Sequence, residues 1–196
     1  MTIHIYTDTE LTERISEGDM TSPDTDTFDG SAGESRDREL FIANEQTTLA
    51  VAIDAVQSEI ELSLPCFSDG DVIIIDSEQM RVLTGGGSTT PTVQRAIYGT
   101  LPVAHLAGAK AYTAYNFSEL SVEPVDTSGT DESSWCLVAA TQEGLNTAVP
   151  DQAVALGNKP FNSTISFWRR ITVPAGTAVE KKTDLKLRLT GTLSLA

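Results

Sequence analysis

A chain of 196 residues is long enough to bury a real core, as one domain or as two small ones. Apolar residues make up 40% of it and aromatics only 6%, so Val, Ile, Leu and Ala must build that core, a mix that favours strands over helices. The 28 acidic and 13 basic residues leave a formal charge of -15, which excludes nucleic acid bound through clustered Lys and Arg.

The opening residues MTIHIYTDTELTE carry neither a basic n-region nor an apolar h-region, so no secretory signal is expected. No run approaches the roughly twenty apolar residues that span a bilayer, so no membrane partner is expected and the chain should be soluble in the cytoplasm where it is made. Residues 2–7 alternate as a short strand, and Leu11 and Ile15, four apart, allow one or two helical turns over residues 9–17. Residues 18–37, rich in Asp, Ser, Thr and Gly, read as an ordered loop or arm. A strand follows at residues 39–43, while residues 48–56 fit a strand or a short helix equally well. Residues 58–64 alternate cleanly, with Ile60, Leu62 and Leu64 on one face, until Pro65 ends the run.

From Asp69 to Gly108 the sequence describes a closed β unit. Residues 72–75 are a continuous apolar, β-branched run, as a strand buried on both faces requires, and Met80, Val82 and Val93 supply further apolar strand positions. Gly85, Gly86 and Gly87 form the tip of a hairpin between residues 81–83 and 92–94. Beyond it, residues 117–125 read as a strand in which Pro124 marks an edge or an exit. A Ser/Gly/Asp loop covers residues 126–134, a buried strand residues 135–140, and a long loop residues 144–159, with one short strand at 153–156. Residues 165–173 and 184–190 look like a terminal pair around the turn Pro174-Ala175-Gly176, with Leu185, Leu187 and Leu189 facing in and Lys186, Arg188 and Thr190 facing out. No repeat of fixed period is visible, and the short, punctuated strands give an all-β chain with a sandwich as the default.

Charge is uneven along the chain: residues 1–47 hold twelve acids and three bases, residues 48–114 seven and three, residues 115–196 nine and seven. From residue 160 onward only Glu180 and Asp184 oppose Arg169, Arg170, Lys181, Lys182, Lys186 and Arg188. Such polarity suits head-to-tail contacts between copies or a basic partner. Asp24, Asp26 and Asp29 would act on one side, and Arg169, Lys181, Lys182, Lys186 and Arg188 on the other. Acid kept for solubility explains the same pattern.

The segment holding Asp24, Asp26, Asp29, Gly30 and Glu34 has the alternating carboxylates of a calcium loop. Its third Asp comes one residue late, Glu34 stands at position eleven, and no helical periodicity flanks it, so a solvated or partner-facing acidic loop is preferred and no metal is assigned. Cys66 and Cys136 are too few and too far apart for a disulfide framework or zinc, and read as small core residues. The Gly85–Gly87 run has no Lys after it and opens no helix, so it is not a phosphate loop. Trp135 and Trp168 sit in apolar strand contexts and read as core. Asp76, Glu78, Arg95 and His105 contain acid and base groups, but nothing in their spacing fixes a catalytic geometry. Gly99 and Gly108 suit turns that need positive φ.

The unit Ile75-Asp76-Ser77-Glu78, Met80, Val82, Arg95, Gly99-Thr100, Ala104-His105 and Gly108 resembles a β module of tail, baseplate and neck proteins of tailed bacteriophages. The flanks resemble a second virion module split by it, through residues 28–44 (FDGSAGESRDRELFIAN) and residues 166–192, with Trp168, Arg170, Val173 and Pro174-Ala175-Gly176 in place. The resemblance implies a split β-sandwich formed by residues 1–46 and 115–196, with an inserted small β-barrel-like domain at residues 47–114. Residues 39–44 and 117–125 should then lie near each other in the sheet. It further implies that Arg95 and His105 hold turns against backbone carbonyls or the acids Asp76 and Glu78.

The function expected on this basis is that of a non-enzymatic structural component of the virion, assembled in the host cytoplasm. It would act in the tail, at the baseplate or tip or as a fibre adaptor, without a cofactor. Its partners would be other virion proteins and copies of itself, reached through strand edges, the acidic arm and the small domain as a second docking face. The alternatives are a carbohydrate- or receptor-binding module that meets host surface glycan, which needs an exposed aromatic platform, and a neck or capsid-surface protein. An enzyme would need converging carboxylates or a histidine paired with a nucleophile.

Overall fold

The computed structural model describes residues 2–126 and 132–196, so most of the expected loop at 126–134, its residues 127–131, lies outside the described residues. The described residues form twelve strands and no α-helix. They are β1 (Ile3–Tyr6), β2 (Glu34–Asn44), β3 (Gln46–Thr48), β4 (Val72–Ile75), β5 (Glu78–Thr84), β6 (Thr92–Gln94), β7 (Lys110–Thr113), β8 (Tyr115–Asp126), β9 (Cys136–Ala139), β10 (Val154–Lys159), β11 (Ile165–Val173) and β12 (Leu185–Leu195). Three antiparallel sheets result, ordered β1-β2-β11-β9, β10-β8-β12 and β3-β7-β4-β5-β6. The fold is all-β and sandwich-like.

The first two sheets share one core. Leu40 and Ile42 of β2, Phe167 of β11 and Val138 of β9 meet Phe117, Leu120 and Val122 of β8. The alternation of β12 has the expected consequence: Leu185, Leu187 and Leu189 pack against this core while Lys186, Arg188 and Thr190 are exposed. The third sheet has its own core, and β4 shows why its sequence is apolar without interruption. Ile73 and Ile75 point into that core, whereas Val72 and Ile74 point the other way, into a cluster that reaches Tyr115 and Phe161 of the sandwich. The sheet is open and not a closed barrel. Residues 58–63 cross its open side, bridging Glu59 to Thr92 and Leu62 to Leu49, so the expected strand there is a pair of isolated bridges. Ile60 and Leu62 are buried, but Leu64 turns outward because its N–H bonds the Thr47 hydroxyl.

Four expectations fail for identifiable reasons. No helix forms over residues 9–17: the Asp8 carboxylate accepts the N–H groups of Thr12 and Glu13, and Arg14 bridges Tyr6, so local side-chain bonds displace a helix that one apolar pair could not hold. β2 begins at Glu34 rather than Glu39, because β11 lies opposite it along nine register pairs, with Arg170 facing Asp37 and the Thr172 and Ser35 hydroxyls bonded at 2.8 Å. β11 and β12 are not a pair. β11 lies between β2 and β9, β12 lies on β8, and the intervening segment spans from one sheet to the other, its Thr177 N–H bonding the Gly30 carbonyl. β2 and β8 likewise belong to different sheets: they face each other across the core and meet in a hydrogen bond where β2 ends and β8 begins.

That meeting point is a buried polar node. The Asn44 side-chain amide donates to the Thr113 and Tyr115 carbonyls at 2.9 and 2.8 Å, and its oxygen accepts from the Lys159 ammonium at 2.5 Å. Lys159 has no exposed surface, and burial pushes its pKa down to about 8. The folded state therefore prefers the neutral amine, and stability rises as pH climbs from about 8 towards 10.5, by on the order of 3 kcal/mol in full. The buried thiols of Cys66 and Cys136 titrate in the opposite sense, so the test is a difference: in urea unfolding the wild type should gain about 2 kcal/mol relative to Lys159→Met between pH 7.5 and pH 10, the thiols cancelling between the two chains.

Candidate functional site

The residues expected to hold a turn in the small sheet form a buried ionic network. Asp76 sits in the two-residue β4–β5 turn with φ of 53°, and Glu78 opens β5, where its side chain is fully buried. Arg95, just after β6, reaches back along Glu78: Nε donates to Oε1 at 2.6 Å and Nη2 to Oε2 at 2.7 Å. The rest of the guanidinium holds backbone, with Nη1 donating to the carbonyls of Asp54 and Gln57 and Nη2 to that of Val103. Glu78 also accepts the N–H groups of Ala96 and Val103. His105, buried, is clamped at both ring nitrogens, Nδ1 2.7 Å from Asp76 Oδ2 and Nε2 3.0 Å from Glu78 Oε2. Gly99 and Gly108 occupy the left-handed region at φ of 82° and 84°, closing the turns on either side of residues 100–107.

Burial by itself would raise the Glu78 pKa, but the Arg95 hydrogen bonds, the Val103 N–H, His105 and the Arg95 charge outweigh it and bring the value down to about 2. Glu78 is thus a carboxylate at every ordinary pH. Its chemistry is positioning: the imidazole has both nitrogens occupied and no surface for a substrate, and Arg95 uses its donors to tie residues 54–57 and 95–105 to β5.

Those two tied segments and the residues flanking them carry exposed apolar side chains that sequence reasoning missed. Val51, Val56, Tyr98, Leu101, Val103 and Leu106 are all exposed, with Leu101 and Leu106 at 76% and 78%. The Ile53–His105 bridge joins the two segments edge to edge. The Asp54 carboxylate accepts the Val56 and Gln57 N–H groups, the Asp76 side chain is exposed, and Arg81 bonds the Tyr98 hydroxyl at 2.8 Å. Large apolar side chains left in water on segments that a buried network holds are candidates for an interaction surface, each worth about 1.5–3 kcal/mol once buried. The only signal for it in the sequence is the apolar content of LPVAHL, which reads the same for a buried and an exposed loop.

The other candidate residues are distributed through the fold. Asp24 and Asp26 bond Arg38 and Arg169 within the chain. Asp29 caps its own turn through the Ser31 and Ala32 N–H groups, and Glu34 accepts the Asp29 N–H and pairs with Arg36. Among the described residues, the carboxylates close enough to share a cation are Asp126, Glu132 and Asp184, with the Lys182 ammonium 2.7 Å from Glu132. Arg188 pairs with Glu123, and Lys181 and Lys186 are exposed. Of the six basic residues after residue 160, Arg169, Arg170, Lys182 and Arg188 thus pair with carboxylates within the fold. Cys136 lies in the sandwich core and Cys66 against the small core; burial pushes both thiols up to about 12. Trp135 and Trp168 are half-buried rather than core, and Phe167 takes the inward place beside Trp168.

No protein-family model matches this sequence, and no curated protein is significantly similar to it. The resemblance to virion modules rests on the residues quoted for it.

Glu78→Gln should destabilise the chain by about 3 kcal/mol at pH 7. A carboxylate with a depressed pKa contributes fully above about pH 4.5 and loses that contribution as pH falls towards 2, so the gap between variant and wild type should close over that window. Urea titrations at pH 7 and pH 3 check this, and hydrogen exchange at pH 7 should show faster amides at residues 54–57 and 96–105 in the variant.

Proposed function

We propose that the chain is a structural component of a tailed bacteriophage particle, acting in the tail at the baseplate or tip, or as a fibre adaptor, through protein-protein contacts. The observation that carries this reading is the set of exposed apolar side chains, Val51, Val56, Tyr98, Leu101, Val103 and Leu106, on and beside segments tied down by the buried Glu78–Arg95–His105 network. Committing a buried ionic network to the geometry of a surface suits a protein whose partner must find a preformed shape. The motif resemblance supplies the class of partner, and the sheet edges at β9, β10 and β12 offer sites for strand addition.

A glycan-binding reading has less support. Tyr98 is the one strongly exposed aromatic among the described residues, and Arg81 lies over one face of its ring, so no set of exposed rings forms a platform there.

Mass spectrometry of purified particles should find the chain at a fixed stoichiometry. Particles made with Leu101→Asp and Leu106→Asp together should lack it, although the isolated variant stays folded, because both side chains are already in water. Absence of the wild-type chain from particles would overturn the proposal.

A further inference from the structure

Arg38 and Arg169 stand directly opposite each other on β2 and β11, on the same face as Leu40 and Phe167 and one step further along the sandwich. Like charges in register repel, and Arg169 is only 2% exposed, so this end of the sheet is stable only with anions laid across it. Asp24 and Asp26 supply them. Asp24 Oδ2 accepts from Arg169 Nε and Nη2 at 2.9 and 2.7 Å, and Asp26 bridges the pair, accepting from Arg169 Nη2 at 2.6 Å and Arg38 Nη2 at 3.2 Å. The Arg169 Nη1 atom is buried without a hydrogen-bond partner, so the socket is one donor larger than its present occupant.

The segment that fills the socket is attached differently from the sheet that forms it. β2 and β11 are held by the apolar core, whereas residues 18–28 have no regular structure. The nearest apolar anchor before them is Ile15, partly buried against the core. Before that, β1 pairs with β2 on one side and with residues 13–15 of the same arm on the other, so it would travel with the arm. After it, a short turn joins the arm to β2, with the Gly33 N–H donating to the Asp29 carbonyl at 2.9 Å and Gly33 at φ of 77°.

We propose that the Arg38–Arg169 pair is an assembly socket and that its occupant between subunits is the Asp24-Thr25-Asp26 segment of a second copy, exchanged together with β1 by opening the turn at residues 29–33. Each ion pair and strand hydrogen bond broken within one chain is remade with the other, so exchange changes little but the turn, which is why swapped elements are a low-cost route to association. Charge selects the occupant: with a net charge of -15, copies repel in general, and the arginine pair matches the two carboxylates spaced one residue apart in the same sequence. The inference stands apart from the virion reading, since exchange between purified chains can succeed or fail whether or not particles contain the protein.

The test uses two full-length variants, D24N/D26N with an intact socket and R38Q/R169Q with an intact arm. Each alone leaves unmatched charge, whereas a swapped heterodimer matches one acidic arm to one arginine socket and one neutral arm to one neutral socket. Co-refolded at high concentration and sized by light scattering, the mixture should give a 1:1 dimer that neither variant forms alone. Recovery of two folded monomers would overturn the proposal, as would a dimer that forms equally well when both partners carry D24N/D26N, which would point to contacts elsewhere. If either variant fails to fold alone, the deciding measurement is the wild-type chain with residues 30–32 deleted. The shortened turn cannot fold back, so a dimer is expected, and a monomer would overturn the proposal.

Discussion

The small sheet depends on a carboxylate placed where no water reaches it. Glu78 opens β5 with no exposed surface, and an ion in that position is tolerable only because Arg95 lies along it in a two-bond fork while two backbone N–H groups and His105 take up its remaining lone pairs. Each partner then anchors something else. Arg95 fixes the carbonyls of three residues in two separate loops, and His105 fixes Asp76 in the β4–β5 turn. Two loops already bridged at Ile53 and His105 are thereby tied to β5, and on and beside them stand apolar side chains that water does not favour.

A second charged cluster repeats the same logic in the sandwich. Arg38 and Arg169 face each other on neighbouring strands, and an irregular acidic segment is drawn onto them as a counter-charge. The arm at residues 18–28 is ordered because the sheet needs its carboxylates. A buried cation thus explains the shape of a stretch that has almost no hydrophobic reason to fold. Between the two clusters, the Asn44–Lys159 node joins the sandwich to the small sheet by hydrogen bonds that no solvent disturbs.

How much of this is legible in the sequence follows from what each pattern encodes. The run at residues 72–75 announces a strand covered on both faces, and the alternation of Leu185, Leu187 and Leu189 announces which face is wet; both describe a residue's own surroundings. Neither pattern names a neighbour, which is why β11 and β12, adjacent in sequence and both strand-like, read as a pair although they belong to different sheets. Charge summed along segments misleads for a similar reason: Asp24 and Asp26 are distant in sequence from Arg169 but bonded to it in space, so part of a polarity drawn end to end is consumed inside the fold. Of the candidate site, Glu78, Arg95 and His105 are visible through the motif they share, while Leu101 and Leu106 are not, because an apolar residue in an irregular segment gives no sign of whether it is covered. Trp168 reads as the core residue that Phe167 in fact is, a one-residue shift that reverses the face in any strand.

The central claim is that the buried network exists to present a docking face to a neighbouring protein. The most direct measurement is an image reconstruction of the assembled particle at a resolution that shows side chains. The account predicts residues 51–56 and 98–106 buried against a neighbouring subunit, with Leu101 and Leu106 removed from solvent and the Glu78–Arg95 pair unchanged. A reconstruction in which these loops face solvent in every copy, with the chain held in place by other surfaces, would contradict it.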